Sequence, residues 1–370
     1  MFDQLSPAMR RALAAARRSN PMEATRVLQE ALGVVPVRPP YRHSTVVNGG
    51  QESPEGGIPK LRCLADTLTD LRSTRDVSQL RRSRRLVLPE GSAFLQRTIQ
   101  TSSGGRDFRL FVPSTHRPRG LVVMLHGCKQ NAEDFALGTC MNFAADAEGL
   151  LVAYPTQARS ANAMGCWNWF RPEDQRRDEG EPLILAELTR SLVLEYALGS
   201  KVFIAGLSAG GAMAAVMGAN YPDLYDAIGV HSGLPCYSAH DVNSAFAAMR
   251  GDHQSGQSNA SLPATATRLI VFHGSHDRTV APSNGERLVN SLRWSNPSAR
   301  VNERHFTSRQ RAVKFTEIVE PDGKLSGEAW FVEGASHHWI GGDPAGSFAK
   351  AEGPSASTEM VRFFLGRRRS

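Results

Sequence analysis

The chain has 370 residues, 41% of them hydrophobic and 21% charged, with a net charge of +7. That balance suits a globular chain with one large core and an appendage, and it excludes a disordered or fibrous protein. No apolar run approaches the roughly 18 residues of a membrane helix. No continuous apolar segment follows the first arginines either, so the expectation is no membrane span, no secretory signal and a cytoplasmic location.

The charge is unevenly placed. Residues 1–92 carry 15 basic and 9 acidic side chains, while the remainder is nearly balanced. This reads as a solvated basic arm, with docking on an acidic surface or nucleic acid as the sharper alternative and nucleic acid the less favoured partner. Residues 1–33 hold two short helical patterns, opened by Ser6-Pro7 and Pro21 and closed by Gly33. Residues 34–92 are rich in Pro, Gly, Ser and Arg, a linker composition. Residues 93–370 form the expected catalytic domain.

In that domain the texture changes to strands and helices in alternation. Residues 106–112 alternate apolar and polar. Residues 120–127, 149–155, 201–206, 227–233 and 268–274 are near-continuous apolar runs, as for strands buried on both faces. Residues 181–198 show a helical pattern, and 314–320 with 328–334 read as a strand pair. The fold class is therefore α/β, with a doubly wound, mostly parallel sheet.

Directly after the run 201–206 stands Gly206-Leu-Ser208-Ala-Gly210, followed by a helix of small residues. A strand-to-helix turn this tight strains the serine backbone, and glycines two positions to either side leave it room. A serine hydroxyl attacks only when a base removes its proton and a carboxylate orients that base. Asp277 follows the run 268–274, and His337 and His338 occupy a Gly-rich loop after the strand at 329–332. The order Ser208, acid, histidine is the one this architecture uses, and each lies where α/β sheets place their ligands. Spacing does not separate His337 from His338. An oxyanion hole needs two N–H donors: Ala209 after the nucleophile, and Cys128 in the loop after the run 120–125. The histidines are not spaced as a ligand set and C-x-x-C is absent, so neither metal nor cofactor is expected. Five cysteines, widely spaced, fit neither a disulfide framework nor a zinc site.

The run "MLHGCKQNAEDF…MN…AYPTQ…CWNWF", with "GLSAGGAMA", "HSGLP", "VFHGSHDRTV" and "HWIGGDPAGSF", resembles the poly(3-hydroxybutyrate) depolymerase family of esterases from about residue 94 to 365. The resemblance implies an α/β-hydrolase fold and hydrolysis of short-chain hydroxyalkanoate polyesters, or of feruloyl or acetyl esters as in related members. It implies Ser208 as nucleophile, Asp277 as acid and His337 as base, although His338 stands where the family has another residue. It also implies a disulfide between Cys128 and Cys166 beside the oxyanion hole, and an extracellular location as the alternative to the cytoplasm. In Cys166-Trp-Asn-Trp-Phe170, Trp167 and Trp169 are expected to join Trp339 in an apolar trough for the acyl chain, with Asn168 tying the loop down. A polyester or small ester is the expected partner, and a polyhydroxyalkanoate granule surface a further one. The rival reading is a non-enzymatic scaffold that binds granules through its basic arm.

Overall fold

The computed structural model describes residues 86–115, 117–252 and 267–369. The helical patterns expected at 1–33, and the linker up to residue 85, lie outside them. The described strands of the main sheet are β1 (Ala93–Thr101), β2 (Gly104–Val112), β3 (Gly120–Leu125), β4 (Leu150–Pro155), β5 (Val202–Leu207), β6 (Ala227–His231), β7 (Arg268–Gly274), β8 (Arg300–Ser308), β9 (Arg311–Val319) and β10 (Leu325–Val332). Their order across the sheet is β1-β2-β4-β3-β5-β6-β7-β10-β9-β8. The middle six, from β4 to β10, run parallel. Antiparallel pairs close both flanks.

Every residue of β3, β4, β5, β6 and β7 is buried. Their sequences are continuous apolar runs because a central parallel strand meets helices on both faces. One face is covered by α3 (Gly180–Glu195), α4 (Ala209–Asn220), α5 (Val242–Arg250) and α6 (Ser283–Ser295), in a core that includes Leu185, Leu188, Met213, Ala245 and Leu288. The other is covered by α1 (Ala132–Thr139), α2 (Met141–Asp146) and α7 (Ala356–Phe364), in a core built on Phe135, Met141, Met360 and Phe363. Chain order jumps from β3 to β4 on one side and to β5 on the other. The strand ends at β3 and β5 therefore flank the switch point at which such sheets bind ligands. Among the described residues no helix is long and apolar enough to cross a membrane.

The trough expected of the tryptophans is not present. Trp167 and Trp339 are 0% and 1% exposed and Trp169 is 5% exposed. Trp167 lies in the core under α3 and α4, with its ring 5.7 Å from that of His126. Trp339 stacks on His231 at 4.8 Å, meets Phe135 edge-on and donates its indole N–H to Ser357 Oγ at 3.1 Å. An indole sealed on both faces by protein offers nothing to an acyl chain. These residues are core plugs that hold two site-bearing loops in place.

Asn168 does tie its loop down. Its N–H and Nδ2 donate to the two oxygens of Glu181 at 2.8 Å each, and its Oδ1 accepts from Asn162. Glu181, in the first turn of α3, is also reached by Gln157 Nε2 and by Arg106 Nη2 at 3.5 Å. Gln157 in turn donates to the Cys166 carbonyl at 2.8 Å. One buried carboxyl group thus gathers the whole segment from 157 to 168, and its burial is offset by these hydrogen bonds.

Burial, with Asp174 nearby, pushes the Glu181 carboxyl up to about 7 despite those donors. Its unfolded value is 4.5, so the folded chain binds the extra proton between these values. The stability from this group is full below about 4.5 and is lost as pH rises through about 7. Thermal melts from pH 5 to pH 8 should show this fall in wild type and a flatter profile in Glu181→Gln. An unchanged profile would refute it.

Candidate active site

Ser208 sits between β5 and α4 with φ 58° and ψ −120°. A non-glycine residue in this region costs on the order of 1–3 kcal/mol, which the surroundings must supply. They do so through closeness. A Cβ on Gly210 would fall 2.1 Å from the Leu125 carbonyl oxygen, and one on Gly206 would fall 2.4 Å from the Gly210 backbone. The Ser208 N–H donates to the His231 carbonyl at 2.9 Å, and its carbonyl accepts from Ala212. The serine is thus pinned at the head of α4, 9% exposed, with the Ala209 N–H at the first turn of the helix.

The loop after β3 comes to the same sheet edge. The buried His126 ring donates from Nδ1 to the Gly127 carbonyl at 2.8 Å and accepts the Gln157 N–H at Nε2, 3.0 Å away. Burial lowers its pKa to about 4, so it stays neutral in that tautomer near pH 7. Gly127, Lys129 and Gln130 spend their N–H groups on Gln130 Oε1, Met164 O and Gly127 O. The N–H groups of Cys128 and Ala209 have no partner among the described residues. Cys128 is joined to Cys166 by a disulfide, which fastens this loop to the segment gathered by Glu181.

Asp277 follows β7 and its side chain is wholly buried. Its Oδ1 accepts the N–H groups of Thr279 and Val280 at 2.9 Å each. Its Oδ2 accepts Nδ1–H of His337 at 2.7 Å. Nε2 of His273, which donates to the Val280 carbonyl at 2.9 Å, lies 3.5 Å from the same oxygen. Burial alone would raise the Asp277 carboxyl, but the nearby His273 imidazole and the hydrogen bond from His337 outweigh it and hold the group far below the usual carboxylate range. Asp277 is therefore ionised near pH 7.

The choice between the two adjacent histidines, open in the sequence, is a matter of direction. His338 is 3% exposed and faces away, with Nδ1 3.0 Å from Ser336 Oγ and Nε2 3.4 Å from Glu352 Oε1. Burial, then Lys350, lowers its pKa to about 4. The loop is held by His231, whose Nε2 accepts the Ile340 N–H at 3.0 Å. With its Nδ1–H committed to Asp277, His337 has only Nε2 left for chemistry. Sequence reasoning missed His273, His231 and Glu181. His273 was signalled by its place four residues before Asp277, at the buried end of a strand where an apolar residue is the rule. Among the described residues there is no cluster of His, Cys, Asp or Glu able to hold a metal.

The comparisons with known proteins bear on the family and the fold. The chain is 32% identical over 228 residues to poly(3-hydroxyalkanoate) depolymerase C of Paucimonas lemoignei, covering 55% of this chain and 53% of that one. It thus spans about half the length of that depolymerase. It is 26% identical over 255 residues to feruloyl esterase B of Neurospora crassa, covering 64% of this chain and 85% of that one. Among solved structures, an acetyl xylan esterase from Aspergillus awamori superposes with a TM-score of 0.54 at 19% identity, over 66% of this chain and 94% of that one. That likeness is one of fold, the α/β-hydrolase fold. The family model described as Esterase PHB depolymerase matches residues 108–307, more than half of the sequence, and the chain belongs to that family of esterases.

Proposed function

We propose that the chain is a serine carboxylic-ester hydrolase acting on short-chain 3-hydroxyalkanoate esters, poly(3-hydroxybutyrate) or its oligomers. One observation carries the reading. A serine held at φ 58° at a helix head shares its sheet edge with a histidine whose Nδ1 is bonded at 2.7 Å to a buried, ionised aspartate. Nothing in structural packing calls for that combination, whereas nucleophilic catalysis needs all three parts.

In the mechanism, Ser208 Oγ attacks the ester carbonyl while His337 Nε2 takes its proton. Asp277 stabilises the imidazolium and keeps the ring in the Nδ1–H tautomer. The Cys128 and Ala209 N–H groups hold the oxyanion, and His337 returns the proton to the leaving alcohol. Water then repeats the attack on the acyl-enzyme, assisted by the same histidine. The disulfide and the Glu181 network serve the oxyanion step by fixing the Cys128 loop, since one misplaced donor costs about 100- to 1,000-fold in rate.

A second reading, a feruloyl or acetyl ester as substrate, is favoured by the match to 85% of the Neurospora crassa feruloyl esterase. Granule binding through residues 1–92 would add affinity for polyester without changing the chemistry.

Release of 3-hydroxybutyrate from amorphous poly(3-hydroxybutyrate) granules tests the reading. Wild type should release it and Ser208→Ala should lose at least about 10,000-fold in rate. Cleavage of methyl ferulate without release from granules would move the substrate to the second reading. Inactivity on both esters would refute ester hydrolysis.

The histidine assignment has its own test. His337→Gln should cost about 10,000-fold in kcat and Asp277→Asn a similar factor, by loss of the tautomer. His338→Gln should cost less than about 10-fold, because that ring bonds Ser336 Oγ while Asp277 is bonded by His337. Equal losses at His337 and His338 would contradict the geometry.

A further inference from the structure

Beside His337 lies a cavity of about 500 Å³, lined among others by His276, Arg278, Thr279, Ser336 and Lys350. It has the size of a small-molecule site. Its lining holds two permanent cations and no carboxylate. Lys350 has one acidic neighbour, Glu352, at 3.7 Å. Arg278 is exposed and has no ion pair among the described residues. The depression is open to solvent, and its cations beside the proposed general base attract whatever anionic part of the substrate reaches it.

We infer that this cavity is a subsite for a free carboxylate on the leaving-group side of the ester, so that the enzyme cuts 3-hydroxyalkanoate oligomers from their carboxyl ends. The inference rests on the ester-hydrolase reading above and deepens it. His337 must hand its proton to the leaving oxygen, so the leaving group lies on the histidine side. Of the proposed catalytic residues His337 alone lines the cavity, so the cavity borders the site on the side of the base and not of Ser208, Cys128 or Ala209. In a linear hydroxyalkanoate chain the leaving alcohol is itself a hydroxy acid. At the last ester its carboxyl group is free and negative near pH 7, whereas at interior esters it is itself esterified and neutral. A sugar alcohol leaving from a feruloyl or acetyl ester carries no such charge. Arg278 can hold a carboxylate through two N–H groups, and Lys350 adds a point charge. Cutting there adds one water across the terminal ester and frees one hydroxy acid with each turnover.

The test compares the linear trimer of 3-hydroxybutyrate bearing a free carboxyl group with its methyl ester. In wild type the free acid should have a kcat/KM higher by about 10-fold, chiefly through KM, with the advantage shrinking in high salt. Arg278→Gln should reduce that ratio and Arg278→Gln with Lys350→Gln should bring it near one. A wild-type ratio of one, or a ratio that survives the double substitution, overturns the inference alone. No turnover of either trimer, with methyl ferulate still cleaved, overturns it together with the polyester reading.

Discussion

Everything at this site follows from the close approach of the end of β3 to the head of α4, at the turn that carries Ser208. Gly210 packs its backbone against the Leu125 carbonyl so tightly that a methyl group there would lie 2.1 Å from the oxygen. The contact brings the end of β3, with its His126–Asn131 loop, up against the head of α4. It forces Ser208 into a conformation that side chains rarely adopt, and it places two N–H groups, from Cys128 and Ala209, at the same edge. Strain that would unfold an isolated turn is tolerated here because fully buried strands hold both sides.

The second constraint is the isolation of charge. Asp277 is removed from water yet remains ionised, since two backbone amides and two histidines face it. A carboxylate satisfied in this way can orient His337 without taking its proton, and it lowers the cost of the imidazolium that proton transfer creates. Glu181 does the opposite kind of work. It is buried among donors beneath the disulfide loop, keeps its proton up to about pH 7, and acts through hydrogen bonds to Asn168 and Gln157 instead of through charge. The two carboxylates differ because two imidazoles offset the burial of Asp277, whereas burial dominates at Glu181 and Asp174 beside it adds to the effect.

The central strands were legible because both their faces are buried, which writes them as unbroken apolar runs. The flanking strands β1 and β8 were not. β8 is mostly exposed and polar from Arg300 to Ser308, and it is a strand only because β9 offers it a partner, a long-range fact that no local pattern carries. At the site, the residues fixed by local backbone geometry (Gly206, Ser208 and Gly210) could be read from spacing. The distinction between His337 and His338 could not, because neighbouring residues differ only in the direction their side chains take from a loop. The tryptophans show the limit most clearly. Aromatic residues at a loop near a sheet edge suit a binding trough and a core plug equally well in sequence, and only the packing of Phe135, His231 and Ser357 around Trp339 decides for the plug.

The account turns on Ser208 as a nucleophile activated by its surroundings. The most direct measurement is reaction with a fluorophosphonate ester, which phosphonylates an activated serine, followed by intact-mass analysis and peptide mapping. The account predicts one adduct per chain, on Ser208, formed far more slowly when His337 is replaced by Gln. No adduct, or an adduct on another serine with Ser208 unmodified, would contradict it.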